Sequence, residues 1–178
     1  MAFFLIMNLP MSFSHEQYVF MTNLLKSNCN FLEYGSGNST LLFSYFAKKY
    51  ISIEHNHDWY QKINSEIKKY NLHFVDHIYV PAADNQPHSY MDLEEYNLSN
   101  GQLLFFDYIR HPKKLNLNFD YVFIDGRARV HCCNFIKKFL KKDSLVFFHD
   151  WGRDYYHSVL DKYNLVNQLD NLAVLSLK

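Results

Sequence analysis

Two of the few glycines in this chain stand close together and mark the first candidate for chemistry. Only five of the 178 residues are glycine, and Gly35 and Gly37 stand two positions apart after an apolar segment. Glycine lets a backbone turn sharply and approach a ligand closely, because it carries no side chain. Ser36 lies between them, and the hydroxyls of Ser39 and Thr40 can cap a following helix. The segment is either a plain turn from strand to helix or a turn that binds a small ligand.

A carboxylate at the end of the next apolar segment indicates what that ligand is. Glu54 closes this segment. The ends of neighbouring parallel strands converge, and a carboxylate there can accept hydrogen bonds from both hydroxyls of a ribose. The alternative is an exposed glutamate that caps the helix starting near His57. Because the glycine turn precedes Glu54 at a suitable spacing, we favour the ribose.

The kind of nucleoside follows from the residues around the glycines. A dinucleotide-binding turn has the pattern G-x-G-x-x-G. Thr40 stands where the third glycine belongs, so the pattern is broken. Glu33 precedes the first glycine, where its charge would repel a pyrophosphate but attract an ammonium or a sulfonium group. These two residues disfavour an NAD-linked oxidoreductase and favour a cationic nucleoside.

A second group of reactive side chains follows two later apolar segments. Asp125 ends one segment, and His149 and Asp150 end the next. The histidine can take a proton from an acceptor near neutral pH. Alternatively, the carboxylates bind a divalent cation such as Mg²⁺, which lowers the pKa of an acceptor hydroxyl. The structural alternatives are an Asp125 that accepts from backbone amides or pairs with Arg127 or Arg129, an Asp150 that caps a helix and a His149 bound to a carbonyl. Arg127 and Arg129 either bind an anionic substrate or form surface ion pairs.

From about residue 30 to its end, the chain resembles the class I S-adenosylmethionine-dependent methyltransferases, in particular their small O-methyltransferase-like members. The resemblance is carried by Glu33-x-Gly35-x-Gly37-x-Ser39-Thr40, by Glu54, by Tyr121-Val-Phe-Ile-Asp125-Gly-Arg127-Ala-Arg129 and by Phe148-His149-Asp150-Trp151. Ser39 replaces the family's usual third glycine.

This resemblance implies methyl transfer from S-adenosylmethionine to a small-molecule acceptor, at oxygen. It also implies that the glycine turn lies against the methionine portion of the cofactor and that the acid after the second strand holds the ribose. The implied cofactor-binding residues are Glu33, Gly35, Ser36, Gly37, Ser39, Thr40, Glu54 and His55, the last at the border of the adenine pocket. The implied catalytic residues are Asp125, His149 and Asp150. A non-catalytic module that binds a nucleoside or a partner remains the alternative, because a fold alone does not imply a function.

Alternating strands and helices must position these residues. Apolar segments predict strands at 30–34, 50–54, 73–80, 119–124 and 144–148, then a hairpin of about 164–169 and 172–177. Helices are predicted at 14–27, 38–49, 57–70, near 101–110, 128–141 and 153–162. This order predicts an α/β, Rossmann-like fold, with a mostly parallel sheet, helices on both faces and a C-terminal antiparallel hairpin.

The length fits a single domain, 1–178. Within it we expect residues 1–29 to form an N-terminal helical segment whose apolar start belongs to the fold. Residues 81–118 hold three of the four prolines and form a long connection. Long connections in compact domains are often functional, so we expect this one to cover the substrate as a lid.

Composition and charge exclude several classes of partner. Lys+Arg and Asp+Glu are both 18, so the formal net charge is zero and we expect no nucleic-acid partner. No apolar segment approaches the roughly 20 residues that a membrane helix needs, so we expect no membrane partner. Three cysteines, two of them adjacent, favour a reducing, cytoplasmic location over a disulfide framework. The expected partner is a small molecule, and the oligomeric state is left open.

Overall fold

The computed structural model describes residues 13–85 and 103–178, whose centre is a seven-stranded sheet. The strands are β1 (Cys29–Tyr34), β2 (Ala47–Glu54), β3 (Val75–Tyr79), β4 (Phe119–Ile124), β5 (Leu140–His149), β6 (Tyr163–Leu169) and β7 (Leu172–Leu177). The α-helices are α1 (His15–Leu24), α2 (Asn38–Phe43), α3 (His57–Lys69), α4 (Phe106–Arg110) and α5 (Arg129–Ile136). Short 3-10 helices lie at Ser44–Phe46, His111–Lys114, Lys137–Phe139 and Asp154–Asp161.

The strand order β3-β2-β1-β4-β5-β7-β6 confirms the predicted α/β, Rossmann-like fold. The first five strands pair in parallel. β7 runs antiparallel to both β5 and β6, which is the predicted C-terminal hairpin. The strand order reverses between β1 and β4, and in sheets of this kind a ligand crevice opens there, beyond the carboxyl ends of the strands.

Successive residues of one strand pack against different helices. Phe31 of β1 belongs to a buried cluster that includes Met21 of α1 and Ile63 of α3. The next residue, Leu32, belongs to a second cluster that includes Ile109 of α4. Because neighbouring residues of a strand point to opposite faces, the two clusters lie on opposite sides of the sheet. The predicted helix layers on both faces are therefore confirmed.

The start of α1 is the one that the sequence predicts. The Oγ of Ser14 accepts a hydrogen bond from the N–H of Gln17 at 3.2 Å, and Oε1 of Gln17 accepts from the N–H of Ser14 at 3.0 Å. This reciprocal pair is a capping box, which gives hydrogen-bond acceptors to two N–H groups that have no acceptor within the helix. The helix ends at Leu24, before the predicted end at 27.

The helix predicted over 38–49 is too long. It ends at Phe43, a 3-10 turn follows, and β2 begins at Ala47. The backbone of Ala47 is already in register with Cys29 of β1. Pairing with a strand that is distant in sequence outweighs the local helical pattern, because tertiary contacts override intrinsic propensity.

The helix predicted over 128–141 is shortened for the same reason. It ends at Ile136, and β5 begins at Leu140, which pairs with Phe119 of β4. The helix predicted over 153–162 is a 3-10 helix. The strands β2 and β5 are therefore longer, and the helices that precede them shorter, than local periodicity predicts.

The second half of segment 81–118, which is predicted as a lid, contributes side chains to the core. Phe105 and Tyr108 are fully buried in the same cluster as the strands. These two residues therefore pack within the domain, and the cover over the substrate stays a prediction. Residues 86–102 of that segment, and the apolar start predicted within 1–12, lie outside the described residues.

In the described ranges 13–85 and 103–178, none of the helices combines the length and apolar character needed to cross a membrane. The three cysteines, Cys29, Cys132 and Cys133, form no disulfide within these ranges and are buried. Cys132 and Cys133 thus pack as small apolar residues of the core.

Candidate active site

Gly35 lies where the ends of β1 and β4 touch. Its φ of +89° is a conformation that residues with a side chain rarely adopt. A Cβ atom here would lie 2.5 Å from the Cα atom of Gly126. The N–H of Asp125 donates to the carbonyl of Tyr34 at 3.0 Å, which keeps the two strand ends together. The packing of the sheet by itself therefore requires Gly35.

Gly37 has no comparable structural requirement. Its φ of −175° is extended backbone that any residue adopts. A Cβ atom at Gly37 would meet only Oγ of Ser39, at 3.6 Å, which is an ordinary contact. Nothing in the part of the chain that the structure describes therefore demands a glycine here. The open side of Gly37 is where a ligand can approach the backbone.

Glu33 supports this turn from inside the protein. It is fully buried and accepts hydrogen bonds from the hydroxyls of Ser39, Thr40 (2.5 Å) and Ser52 (2.6 Å). Burial raises the pKa of Glu33 to about 7, and these hydroxyl donors offset only part of that effect. The carboxylate faces hydroxyls of its own chain. These contacts therefore hold the turn in place, and the predicted contact between Glu33 and a cationic ligand stays a prediction.

Glu54 reaches the glycine turn, as the sequence predicts. Its Oε2 accepts from the N–H of Ser36 at 2.9 Å, and its Oε1 accepts from the N–H groups of His55 (2.8 Å) and Asn56 (2.7 Å). Burial by itself raises the pKa of Glu54, but His55 and the N–H groups of Asn56 and Ser36 outweigh burial and lower it below its ordinary value. A charged carboxylate thus lies beside the residue between the two glycines.

Two side chains also lie against the carboxylate of Glu54. The Oγ of Ser36 lies 3.3 Å from Oε2, and Nδ1 of His55 lies 3.0 Å from Oε1. A carboxylate offers about four acceptor positions, and backbone N–H groups hold three of them. Two of these N–H groups face Oε1 and one faces Oε2, so the remaining position is on Oε2, where the Ser36 hydroxyl lies and a ribose hydroxyl can replace it.

Aromatic residues surround the turn, and sequence reasoning assigned them no role. Nε1 of Trp59 in α3 donates to the carbonyl of Ser36 at 2.5 Å. The ring of His55 lies 5.3 Å from that of Phe105 and 5.7 Å from that of Tyr108. His55 is consequently held against α4. Nothing in the sequence marks these contacts beyond the aromatic residue types.

The hydroxyl of Tyr108 is a buried polar group beside this turn. Among the described residues it has no hydrogen-bond partner. It also lies so close to Gly126 that a Cβ there would overlap its oxygen. A buried hydroxyl without a partner costs free energy, and this one lies at the contact between the ends of β1 and β4.

Asp125, His149 and Asp150 lie together, as the sequence predicts, with one potential ligand atom of each within 4.8 Å of the others. Nδ1 of His149 is 2.9 Å from Oδ1 of Asp125. Burial lowers the pKa of His149, but the hydrogen bond to Asp125 and the charges of both carboxylates outweigh burial and raise it above its ordinary value. A carboxylate facing Nδ1 keeps the proton on that nitrogen, so Nε2 carries the lone pair that can accept a proton.

Arg129 completes this group through a pairing with Asp125, which was one structural alternative in the sequence analysis, and through a second pairing with Asp150. Its Nη2 lies 3.2 Å from Oδ1 of Asp125 and 3.1 Å from Oδ2 of Asp150. The residue is 3% exposed. It therefore forms neither a surface ion pair nor a free anion-binding group.

A divalent cation does not fit this group well, because the ligand atoms are already engaged. Oδ1 of Asp125 faces both Arg129 and His149, and Oδ2 of Asp150 faces both Arg129 and Arg153 (3.2 Å). Two carboxylates are thus balanced by two guanidinium groups. At 4 Å and an effective dielectric constant of about 20, two unit charges repel by about 4 kcal/mol, and a divalent ion doubles this repulsion. The donor set does not favour the predicted Mg²⁺.

Ser52 contacts the candidate site through its hydrogen bond to Glu33, and the sequence analysis did not include it. It is the polar residue of an otherwise apolar stretch of β2, and the register of the parallel pair places it opposite Glu33. A polar residue inside a buried strand was the available signal. Its partner could be read only from the register, which the sequence does not state.

Comparison with known proteins places the fold. No family profile and no curated protein matches the sequence. A methyltransferase-like protein from Silicibacter pomeroyi matches with a TM-score of 0.72 and 19% identity over 96% of this chain and 89% of that one. A candidate caffeoyl-CoA O-methyltransferase from Staphylococcus aureus matches with a TM-score of 0.62 and 17% identity over 96% of this chain and 86% of that one. A candidate methyltransferase from Streptococcus mutans, solved in complex with SAH, matches with a TM-score of 0.59 and 12% identity over 92% of this chain and 96% of that one.

At these identities the likeness shows a shared fold. The chain has the fold of the class I S-adenosylmethionine-dependent methyltransferases, with its charged side chains at the carboxyl ends of the strands.

Proposed function

We propose that this protein transfers a methyl group from S-adenosylmethionine to an oxygen atom of a small-molecule acceptor. The observation that carries the proposal is the contact between Glu54 and Ser36, which joins the end of β2 to the glycine turn of β1. In a methyltransferase fold, this is where a ribose carboxylate and a backbone turn would act on one ligand. The SAH complex of a structural neighbour supports the choice of cofactor.

Different residues in and around the turn bind different parts of the cofactor. Glu54 accepts a hydrogen bond from a ribose hydroxyl at Oε2 once the side chain of Ser36 moves aside. Gly37 leaves its open side to the methionine portion of the cofactor, since no other group of the described chain needs that space. Glu33 acts indirectly, because its hydrogen bonds to Ser39 and Thr40 hold the turn in shape.

The acceptor loses its proton to His149. When bound, the cofactor supplies a methyl group on a positively charged sulfur. Asp125 holds the proton of His149 on Nδ1 and leaves Nε2 to accept the proton of an acceptor hydroxyl. An alcohol or phenol needs such a base, which is why we propose oxygen as the site of transfer. Zero net charge favours a small molecule over a nucleic acid.

Calorimetric titration tests the cofactor site. We expect SAH to bind the wild type and to bind Glu54→Gln at least about tenfold more weakly, because the variant loses the charge that accepts from the ribose. Glu66→Gln is the matched control, since Glu66 lies on α3 and pairs with Lys69 (3.0 Å). Thermal melting of each variant checks that it folds. A wild type that binds NADH and no SAH would contradict the proposal.

A further inference from the structure

One buried side chain joins the ends of β4 and β5. Nε of Arg129 donates to the carbonyl of Gly126 at 2.9 Å, and Nη1 donates to the carbonyl of His149 at 2.7 Å. Nη2 donates to the carbonyl of Asp125 at 3.1 Å and also pairs with the carboxylates of Asp125 and Asp150. Arginine suits this arrangement, because its guanidinium is always charged and offers five N–H donors in one plane.

We infer that Arg129 is the resident cation of the acceptor site. The guanidinium holds the place between Asp125 and Asp150 that a divalent cation would take, and His149 handles the acceptor's proton without a metal. The term acceptor rests on the proposed function, whereas the exclusion of a divalent cation stands on the geometry of these side chains alone.

The other groups around the carboxylates agree with this inference. Oδ1 of Asp150 accepts from Nδ2 of Asn171 at 3.0 Å, and Arg153 pairs with Oδ2 of Asp150. Together with the contacts of Arg129, every oxygen of Asp150 has a donor from the protein. A metal-binding carboxylate must instead leave an oxygen free for the ion. His149 turns Nδ1 toward Asp125, so only Nε2 of its ring keeps a lone pair, and we assign that lone pair to the proton of the acceptor.

The backbone on either side is held in unusual conformations that bring Arg129 into position. Ala128, which precedes α5, has a φ of +50°, and Asp150, which follows β5, has a φ of +60°. Residues other than glycine seldom adopt this region, and such strain persists only where surrounding contacts maintain it. The three carbonyl bonds of Arg129 to these two loops are contacts of that kind.

Binding of Mn²⁺, followed by its electron paramagnetic resonance signal in the absence of cofactor, tests the inference. Mn²⁺ accepts the same carboxylate ligands as Mg²⁺. We expect no bound Mn²⁺ at millimolar concentration in the wild type. Arg129→Met removes the charge and keeps an apolar stem, so it should bind one equivalent at least about tenfold more tightly than the wild type. The double variant with Asp125→Asn should lose this site again.

Arg153→Met is the matched control. It removes the same charge from the same carboxylate, Asp150, but its side chain is 44% exposed and Arg129 remains. We expect it to bind no Mn²⁺. Arg129→Gln repeats the test if the methionine variant does not fold.

Three results would overturn the inference. The first is a wild type that binds one equivalent of Mn²⁺ and loses it in Asp125→Asn. The second is a folded Arg129 variant that gains no site, and the third is an equal gain in Arg153→Met. Because no cofactor is present, failure here is distinct from failure of the SAH titration.

Discussion

Alanine at Gly35 and alanine at Gly37 should damage different properties of the protein. At Gly35 the new Cβ would lie 2.5 Å from the backbone of Gly126, which cannot rotate away, and φ is +89°. A left-handed conformation costs an alanine about 1–2 kcal/mol, and an extra methyl group in a packed interior costs about 1–3 kcal/mol. We therefore expect Gly35→Ala to lower the free energy of unfolding by about 2–5 kcal/mol.

At Gly37 the expected change in stability is small. The position caps α2, where alanine is less favourable than glycine by roughly 0.5–1 kcal/mol. Alanine also restricts the unfolded chain, which stabilises the fold by about 0.4–1 kcal/mol. The two effects nearly cancel. A ligand that approaches the open side of Gly37 would meet the new methyl group, so we expect SAH to bind at least about tenfold more weakly.

Urea denaturation measures the first property, and calorimetric titration with SAH measures the second. The reasoning is refuted if Gly37→Ala binds SAH as the wild type does. It is also refuted if Gly35→Ala is as stable as Gly37→Ala, because the contact with Gly126 would then not be the reason for the first glycine.

Three further predictions concern buried polar groups. Folding raises the pKa of Glu33 from 4.5 to about 7, so the folded protein binds the carboxyl proton of Glu33 more tightly than the unfolded chain does. The stability that this group contributes therefore falls as the pH rises from 4.5 to about 7. Glu33→Gln should remove this slope in urea denaturation across pH, Glu66→Gln should keep it, and equal slopes in both variants would contradict the assignment. Asp125→Asn should lower the pKa of His149 and so move the acid limb of the pH–rate profile to lower pH. It should also reduce kcat by about 100-fold. An acid limb that does not move would exclude His149 as the base. Tyr108→Phe should be as stable as the wild type or more stable, since it removes a hydroxyl without a partner, and a clear loss in urea denaturation would show a missed hydrogen bond.

Much of the fold could be predicted because local patterns were sufficient for it. The structure has β4 at Phe119–Ile124, the same bounds that its apolar segment predicts. The glycine turn and the convergence of Glu54 on it also followed, since strand ends in a parallel sheet meet at one edge. These features depend on residues near in sequence and on a general rule of sheet topology.

The errors have a common physical origin in contacts between distant parts of the chain. Residues 47–49 have a helical pattern but pair with β1. Phe105 and Tyr108 lie in a segment rich in proline, yet they pack in the core. In both cases the burial or pairing that determines the structure comes from elements far along the chain.

The sequence by itself determined the order of the elements and which reactive side chains stand at the strand ends, because hydrophobic periodicity and glycine act locally. Only the tertiary structure decided which groups these side chains bind. It turned Glu33 toward three hydroxyls, gave Gly35 a packing role and left Gly37 open. It also buried Arg129 between two carboxylates. The physical reason is that hydrogen bonds and ion pairs act over a few ångströms, and only strand register and backbone conformation bring distant residues that close.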